Sequence, residues 1–447
     1  MPDAPLPLIC VPGDGALPKT VSKSQRQWAA AHGFAGQRGR LLALPAADGA
    51  IAGYLFGTGP VAGRPQLVTG LAAAALEPGD YSLAGEFGDP TLAALGFRLG
   101  AYRFDRYRKP KAAPALELPV GADGAEVARL VDAAFLARDL VNTPANDLGP
   151  EEFEREIRGF AKRHRMSVTS IVGDDLLAQN FPMIHAVGRA GPAAPRLLDL
   201  SWGKKTDPKI TLVGKGVTFD TGGLDIKPPS SMLLMKKDMG GAANILGLAH
   251  AVMDAKLKVR LRVLIPIVEN SISATAFRPG DILPSRSGQT VEIGNTDAEG
   301  RLILGDALTL ADEESPELVV DMATLTGAAR TALGPDLPPL YSTDDALAAE
   351  LMAEGLKSDD PLWHMPLWAP YESMLNSKIA DVNHTSSGAF AGSITAALFL
   401  KRFVKQATAW VHLDIFAWAP EPRPGRPFGG TDQGIRAVYG VLKQRYS

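Results

Sequence analysis

The spacing of apolar residues predicts alternating strands and helices over most of the chain. In some segments apolar residues recur every three or four positions, as on one face of a helix, and in others they form short runs rich in β-branched residues. Helices are predicted over 126–141, 151–164, 241–256, 301–314, 393–404 and 433–445, and strands over 210–214, 259–268, 289–293, 318–322 and 409–415. This alternation predicts an α/β fold in which a mixed central β-sheet is flanked by helices.

A segment rich in proline, alanine and glycine, residues 111–125, has the composition of a linker. We therefore predict a small N-terminal α/β domain over 1–115, a linker over 116–125 and a larger domain over 126–447. Within the small domain, the short apolar stretches 41–44 and 50–56 are separated by glycine-rich turns, and no functional motif is evident there.

The composition is that of a globular protein. Charged residues make up 21% and hydrophobic residues 46% of the chain, which excludes a disordered or fibrous protein. The 46 basic and 49 acidic residues leave a net charge of −3, so nucleic acid and anionic membranes are disfavoured as partners. There is no apolar run of the roughly 20 residues that a membrane span needs, and no signal peptide is recognised, so we expect a cytoplasmic protein.

The single cysteine, Cys10, limits the metal sites that the chain can form. It excludes a disulfide framework and a cysteine-rich zinc site, so a bound metal must take carboxylates, histidines or less usual ligands. Sites in α/β sheets form at the carboxyl ends of strands. Three charged segments of that kind occur here, at 213–227, 236–241 and 295–302.

In the segment 295–302, Asp297, Glu299 and Arg301 are spaced two residues apart and would share one face of an extended chain. Two carboxylates so close together repel each other, and a divalent cation between them would remove the repulsion. The same spacing also fits a solvated turn in which Asp297 caps the following helix. The spacing alone leaves both interpretations open.

The glycine-rich segment 213–223, which contains Lys215 and Asp220, also allows two interpretations. Glycines let a backbone approach a ligand closely, so a phosphate-binding loop is one candidate. The Walker pattern is not matched, because Lys215 is followed by Gly216 rather than by Ser or Thr, and no GxGxxG turn is present. Asp238, which precedes a predicted helix, could equally be its N-cap.

Taken together, these segments resemble the leucyl aminopeptidase family of dinuclear metallo-aminopeptidases, also called cytosol aminopeptidases. The octapeptide NTDAEGRL at 295–302 matches the family's diagnostic motif at every position, and GKGVTFDTGG at 214–223 is similar to a second motif. Three further segments also match the family's pattern: RDLVNTPAN at 138–146, MKKDMGGAA around Asp238 and WVHLDI at 410–415. The resemblance covers residues 125–447, and it is weak over the preceding, short N-terminal part.

The resemblance implies a role for each matching residue. The metal ligands would be Lys215, Asp220, Asp238, Asp297 and Glu299, and the catalytic cations would be Lys227 and Arg301. The substrate pocket would be formed by Met235, Asn295, Thr324, Leu325, Gly327, Phe416 and Ala419.

The resemblance also implies the cofactors and partners. Each subunit would bind two divalent ions, Mn²⁺ or Zn²⁺ with Co²⁺ or Mg²⁺ as alternatives, and a bicarbonate near Arg301 would act as general base. Two ions that share one water lower its pKa and provide hydroxide at neutral pH. The implied substrates are peptides with a free N-terminus, and the implied assembly is a homohexamer.

One departure from the family pattern follows the HLDI run. The family usually has a small residue and then glycine there, whereas this chain has Phe416 and Ala417. Because Phe416 and Ala419 fall on pocket positions, we hypothesise that specificity is shifted away from leucine, toward smaller or differently shaped first residues. A phenylalanine that simply belongs to the core is the alternative.

Other functions are weaker interpretations of the same residues. A dinuclear phosphoesterase could use these carboxylates, but basic phosphate clamps and histidine ligands are missing from the motifs. A non-enzymatic binding protein would be favoured by the loss of a ligand, yet all five ligand positions and both cations are present. A Ser-His-Asp hydrolase would need a GxSxG elbow, which the chain lacks.

Overall fold

A computed structural model describes residues 4–13 and 15–447. Within this described part, the chain divides into two compact units. The first contains the described residues up to 135 together with 357–359 and 419–429, and the second contains 136–356, 360–418 and 430–447. The domain limits expected from the sequence, with a linker over 116–125, remain predictions.

The first unit contains a five-stranded sheet. Its strands are β1 (Leu6–Pro12), β2 (Leu41–Pro45), β3 (Ile51–Gly59), β4 (Asp80–Gly85) and β5 (Ala115–Leu116). They lie in the order β2-β3-β1-β4-β5, with β2 antiparallel to β3 and the other neighbours parallel. The apolar stretches noted at 41–44 and 50–56 fall in β2 and β3, and Leu44 and Leu55 are part of a buried core there.

Further strands follow in the rest of the chain. In chain order they are β6 (Ser167–Val172), β7 (Arg196–Trp202), β8 (Lys209–Gly214), β9 (Gly216–Asp220), β10 (Arg260–Asn270), β11 (Ile282–Pro284), β12 (Thr290–Glu292), β13 (Leu318–Ala323), β14 (Pro339–Ser342), β15 (Trp363–His364), β16 (Val382–Asn383), β17 (Ala409–Asp414), β18 (Trp418–Ala419) and β19 (Gly429–Gly430).

The helices occur between these strands. In chain order they are α1 (Lys23–Ala31), α2 (Gly70–Ala75), α3 (Pro90–Gly100), α4 (Gly124–Asn142), α5 (Pro150–His164), α6 (Asp175–Ala178), α7 (Pro182–Gly188), α8 (Pro229–Met232), α9 (Gly240–Asp254), α10 (Glu299–Asp312), α11 (Gly327–Leu333), α12 (Asp345–Lys357), α13 (Gly392–Lys401) and α14 (Ile435–Tyr446). Short 3-10 helices cover Met235–Met239, Thr296–Ala298 and Ala369–Leu375.

The second unit is organised around a nine-stranded mixed sheet. Its strands lie in the order β15-β14-β17-β13-β8-β10-β7-β6, and β9 pairs with β10. The four central neighbours β17, β13, β8 and β10 are parallel, while β14 and β7 beside them run antiparallel. These four strands are the apolar runs predicted from the sequence, which confirms the α/β class. Continuous apolar runs are typical of parallel strands that are covered on both faces.

Helices pack directly on the central strands. α9 contacts β8 and β13, and α10 contacts β8 and β10. One buried core joins Leu302 of α10 to Val213 of β8, Val319 of β13 and Trp410 of β17. In the described part of the chain, no helix combines the length and apolar character needed to cross a membrane.

Candidate active site and metal centre

The predicted site residues follow the ends of the parallel strands in the second unit. Lys215 comes directly after β8, Thr324 comes directly after β13, and Phe416 lies two residues beyond Asp414, the last residue of β17. Asp220 ends β9, which pairs in parallel with β10. Because parallel strands place their carboxyl ends at one edge of the sheet, these residues gather there.

Lys215 is buried between two carboxylates. Its Nζ lies 2.6 Å from Oδ2 of Asp238 and 2.9 Å from Oε1 of Glu299, and it donates to the carbonyl oxygen of Thr324 at 3.1 Å. The hydroxyl of Thr324 donates to Oδ1 of Asp238 at 2.7 Å. A Cβ on Gly300 would lie only 2.2 Å from Cε of Lys215. The glycine in NTDAEGRL therefore leaves the space through which this lysine reaches the carboxylates.

Lys227 pairs with two further carboxylates in the same place. Its Nζ lies 2.8 Å from Oδ2 of Asp220 and 2.5 Å from Oδ1 of Asp297. Oδ1 of Asp220 accepts from the backbone N–H of Gly222 at 2.8 Å and from Nδ2 of Asn270 at 2.8 Å. Gly222 adopts a φ of +89°, a conformation that favours glycine, and the resulting turn leads the chain back to Lys227.

Burial and mutual repulsion shift the protonation equilibria of this cluster. Burial, followed by the charge of Asp220, raises the pKa of Glu299 to about 8 and that of Asp297 to about 6. Burial alone would lower the pKa values of Lys215 and Lys227, but the surrounding carboxylates raise both. Both lysines are therefore ammonium ions here, and they compensate only part of the acidic charge.

The cluster has the chemistry of a divalent-metal site. One carboxylate oxygen from each of Asp220, Asp297 and Glu299 lies within 4.8 Å of the other two. Oδ1 of Asp297 and Oε1 of Glu299 are buried and accept no hydrogen bond from the described residues, although each lies within ion-pair distance of a lysine. Oxygen atoms of this kind, in a net acidic cluster, fit hard and borderline cations. Asp238 lies outside this group of three and is paired with Lys215.

The structure contains two cavities at this edge of the sheet. Arg301, Asn295 and Asp297 line the smaller one, the second cavity, which has a volume of about 270 Å³. Nη1 of Arg301 donates to the carbonyl oxygen of His384 at 2.7 Å, whereas its buried Nε has no hydrogen-bond partner in the part of the chain that the structure describes. Burial lowers the pKa of Arg301 to about 10, so the guanidinium stays charged at neutral pH. Nε2 of His384 lies 2.9 Å from the carbonyl oxygen of Asn295. His384 thus connects Arg301 to the loop that carries Asn295.

The residues expected to form the substrate pocket fall into three groups. Asn295 lines the second cavity, and Ala419 is buried in the first compact unit, where its substrate role remains a prediction. The remaining five expected pocket residues line the first cavity, which has a volume of about 330 Å³ and also contains the carboxylate cluster with Lys215 and Lys227. These five are Met235, Thr324, Leu325, Gly327 and Phe416.

Three polar residues at the site were missed by sequence reasoning. Asn270 is the last residue of β10, and its side chain donates a hydrogen bond to Asp220. A polar residue at the end of a predicted buried strand is the sequence feature that would have identified it. Lys237 and Arg330 line the first cavity beside Phe416. Burial lowers the pKa of Lys237 to about 7. No spacing rule distinguishes these two cations from exposed ones, because only tertiary packing buries them.

Family comparisons identify both parts of the chain. The model of the cytosol aminopeptidase family, catalytic domain, matches residues 135–439, and that of the M17 aminopeptidase N-terminal domain matches residues 7–119. The second match covers the part in which the motifs were uninformative. A probable cytosol aminopeptidase from Rhizobium meliloti (strain 1021) is 42% identical over 366 residues, which cover 78% of this chain and 72% of that protein.

Solved structures agree with the sequence comparisons. The cytosol aminopeptidase from Coxiella burnetii has a TM-score of 0.94 and 45% identity, covering 100% of this chain and 98% of that one. The bottromycin maturation enzyme BotP in complex with Mn has a TM-score of 0.90 and 33% identity, covering 99% of this chain and 100% of that one. The family named from the motifs is thereby confirmed: the chain belongs to the cytosol aminopeptidase family of metal-dependent peptidases, hydrolases that act on peptide bonds.

Proposed function

We propose that the chain is a two-metal aminopeptidase that releases the N-terminal residue of peptides. The observation that carries this proposal is the convergence of Asp220, Asp297 and Glu299, with ligand oxygens within 4.8 Å of one another, in the cavity that also contains Lys227. The Mn complex of BotP supports Mn²⁺ as one suitable ion, with Zn²⁺, Co²⁺ and Mg²⁺ as alternatives.

Five residues would hold the ions. Three of them are the carboxylates Asp220, Asp297 and Glu299, whose oxygens lie close together. Asp238 and Lys215 would complete the two metal sites. Lys215 would have to lose its proton first, which is the usual coupling between metal binding and proton release. When bound, two such ions act as Lewis acids and lower the pKa of a water molecule.

Two cations of the chain would act on the substrate. The ammonium of Lys227 projects into the first cavity and would donate a hydrogen bond to the carbonyl oxygen on which negative charge develops. Arg301, whose buried Nε faces no hydrogen-bond acceptor among the described residues, lines the second cavity and would hold there the bicarbonate that the family resemblance implies. The acidic wall formed by Asp297 and Glu299 would favour a free α-amine over an acetylated one.

The deciding assay is hydrolysis of leucine and alanine p-nitroanilides beside their N-acetylated forms. We expect activity that is lost after chelation, restored by Mn²⁺ or Zn²⁺, and absent with the acetylated substrates. Equal hydrolysis of free and acetylated substrates would contradict an aminopeptidase. Activity that survives complete metal removal, verified by elemental analysis, would contradict the two-metal site.

Replacing Arg301 with alanine should lower kcat while most of the metal stays bound. Its guanidinium lines the second cavity and pairs with a backbone carbonyl rather than with the carboxylate cluster. Loss of an anchored general base typically costs about 10²–10⁴-fold in rate. Steady-state kinetics and metal content would be measured on the same preparation. Loss of both ions together with activity would place Arg301 in the metal site instead.

Replacing Phe416 with alanine should raise kcat/KM for leucine substrates relative to alanine substrates. The ring lines the first cavity, and the backbone N–H groups of Phe416 and Ala417 both donate to Oε1 of Gln433, which fixes the main chain that carries the ring. Removing it enlarges the pocket, and side-chain discrimination in apolar pockets is worth about 10–200-fold. A panel of aminoacyl amides would measure the change. Phe390→Ala, at an 82% exposed position, is the control. An unchanged ranking would show that Phe416 does not set specificity.

The assembly and the compartment are proposals that rest on the family. We propose a cytoplasmic protein, since relatives are named cytosol aminopeptidases, and a homohexamer, which the family resemblance implies. Light scattering that gives the mass of one chain would refute the hexamer.

A further inference from the structure

The first cavity contains two cations that the proposed mechanism does not use. Lys237 and Arg330 both line it, beside the acidic cluster. Lys237 is only 1% exposed, and Arg330 is half-buried in the last turn of α11. Within residues 4–13 and 15–447, neither forms an ion pair with a carboxylate of the chain, although burying an unpaired ammonium is unfavourable.

The carboxylates nearest to Lys237 are engaged elsewhere. Asp238 is paired with Nζ of Lys215 and accepts from the hydroxyl of Thr324. Asp414 accepts from the backbone N–H groups of Leu325 and Thr326 and from the hydroxyl of Thr326. Both carboxylates therefore already have donors, and neither is within ion-pair distance of Lys237.

The ring of Phe416 contacts both cations. Nζ of Lys237 lies 4.9 Å, and Cζ of Arg330 lies 4.8 Å, from the ring centroid. Cation–π contacts offset only part of the cost of removing an ammonium from water. The two like charges, which contact the same ring, also repel each other.

We propose that Lys237 and Arg330 bind a carboxylate of the substrate. The proposal rests on the aminopeptidase function proposed above and names the substrate class of the same cavity. An anion held by both groups would supply the counter-charge that residues 4–13 and 15–447 do not provide, and the guanidinium fork of Arg330 suits a carboxylate. The methylene groups of an acidic side chain would pack on the ring of Phe416, which stands at the position of the first side-chain pocket.

Two parts of a peptide could present this carboxylate. One is the side chain of an N-terminal aspartate or glutamate, and the other is the C-terminal carboxylate of a dipeptide. Glutamyl against glutaminyl p-nitroanilide, with aspartyl against asparaginyl, tests the side chain, because each pair differs in charge and hardly in size. Alanyl-glycine against alanyl-glycinamide tests the C-terminus.

The variants Lys237→Met and Arg330→Met remove one charge each and keep an apolar side chain. Lys236→Met is the matched control, because Lys236 donates to the carbonyl oxygen of Asn142 and is not among the residues lining the cavity. We expect wild type and Lys236→Met to prefer at least one carboxylate substrate over its neutral partner about tenfold or more in kcat/KM. Either cavity variant should bring that ratio to about one.

Calorimetry on the metal-loaded full chain separates this inference from the peptidase assignment. L-Glutamate and alanyl-glycine would be titrated beside L-glutamine and alanyl-glycinamide. Tighter binding of an acidic ligand, lost in Lys237→Met or Arg330→Met, would support the carboxylate site even if no peptide were cleaved, and the lack of cleavage would then contradict only the proposed function. Active enzyme that favours neither acidic substrate, and binds neither acidic ligand more tightly, would overturn the inference and leave the peptidase function standing.

Discussion

Glu299→Ala should abolish peptide hydrolysis and bound metal together. Glu299 is 1% exposed, begins α10, and places Oε1 beside Lys215 without a hydrogen bond. It also belongs to the group with Asp220 and Asp297 that fits a metal ion. Because metal ions supply several kcal/mol of transition-state stabilisation, we expect kcat/KM to fall by about 10³-fold or more. Kinetics and elemental analysis of the same sample measure both effects.

The control for this variant lies at the other end of the same helix. Glu313 follows α10 and pairs with Arg286 at 2.7 Å, with a half-exposed carboxylate. Glu313→Ala should keep both activity and metal content. Circular dichroism would check that Glu299→Ala is folded. A folded Glu299→Ala enzyme with two bound ions and full activity would show that the ligand assignment is wrong.

Asp432→Ala should destabilise the second unit strongly. Oδ1 of Asp432 lies 2.7 Å from Nη2 of Arg138 on α4, and Oδ2 lies 2.5 Å from Nη1 of Arg436 on α14. All three side chains are buried, so the variant leaves two guanidinium groups without the carboxylate that they share. Removing one partner of a buried ion pair lowers the free energy of unfolding by about 3–5 kcal/mol. We expect the Tm to fall by roughly 5–10 °C, measured by differential scanning fluorimetry.

An exposed ion pair of α14, the helix that carries Arg436, provides the comparison. Glu350 of α12 pairs with Arg445 of α14 at 2.7 Å, and both side chains are substantially exposed. Exposed pairs contribute little, about 0–1 kcal/mol, because water and salt screen them. Glu350→Ala should therefore shift the Tm by no more than a degree or two. Equal shifts in both variants would mean that burial of the Asp432 network is not what stabilises this part of the fold.

The central strands and their helices were predictable because their signals are local. The runs 210–214, 259–268, 318–322 and 409–415 became the four parallel neighbours β8, β10, β13 and β17. The predicted helix at 301–314 begins two residues earlier, at Glu299. The spacing in the octapeptide leaves an extended segment and a turn before the helix both open, and the structure contains a 3-10 turn at Thr296–Ala298. A run of three alternating polar residues does not distinguish the two conformations.

The candidate site was predictable as a set of residues but not as an arrangement. The motifs named the carboxylates and lysines, because the family's chemistry requires those residue types at those positions. The sequence did not show that Lys215 pairs with Asp238 and Glu299 while Lys227 pairs with Asp220 and Asp297. It also did not show that Arg301 lines the second cavity and not the first, although Asp297 lines both.

The periodicity of the chain and its motifs were therefore sufficient for the fold class and the family, because both depend on residue order. Burial and charge balance depend instead on which distant segments meet. Lys237 and Asp432 look like ordinary surface residues in the sequence, yet folding buries one in the wall of a cavity and makes the other the centre of a buried network. Only the tertiary structure removes such groups from water, and removal from water is what gives them their energetic effect.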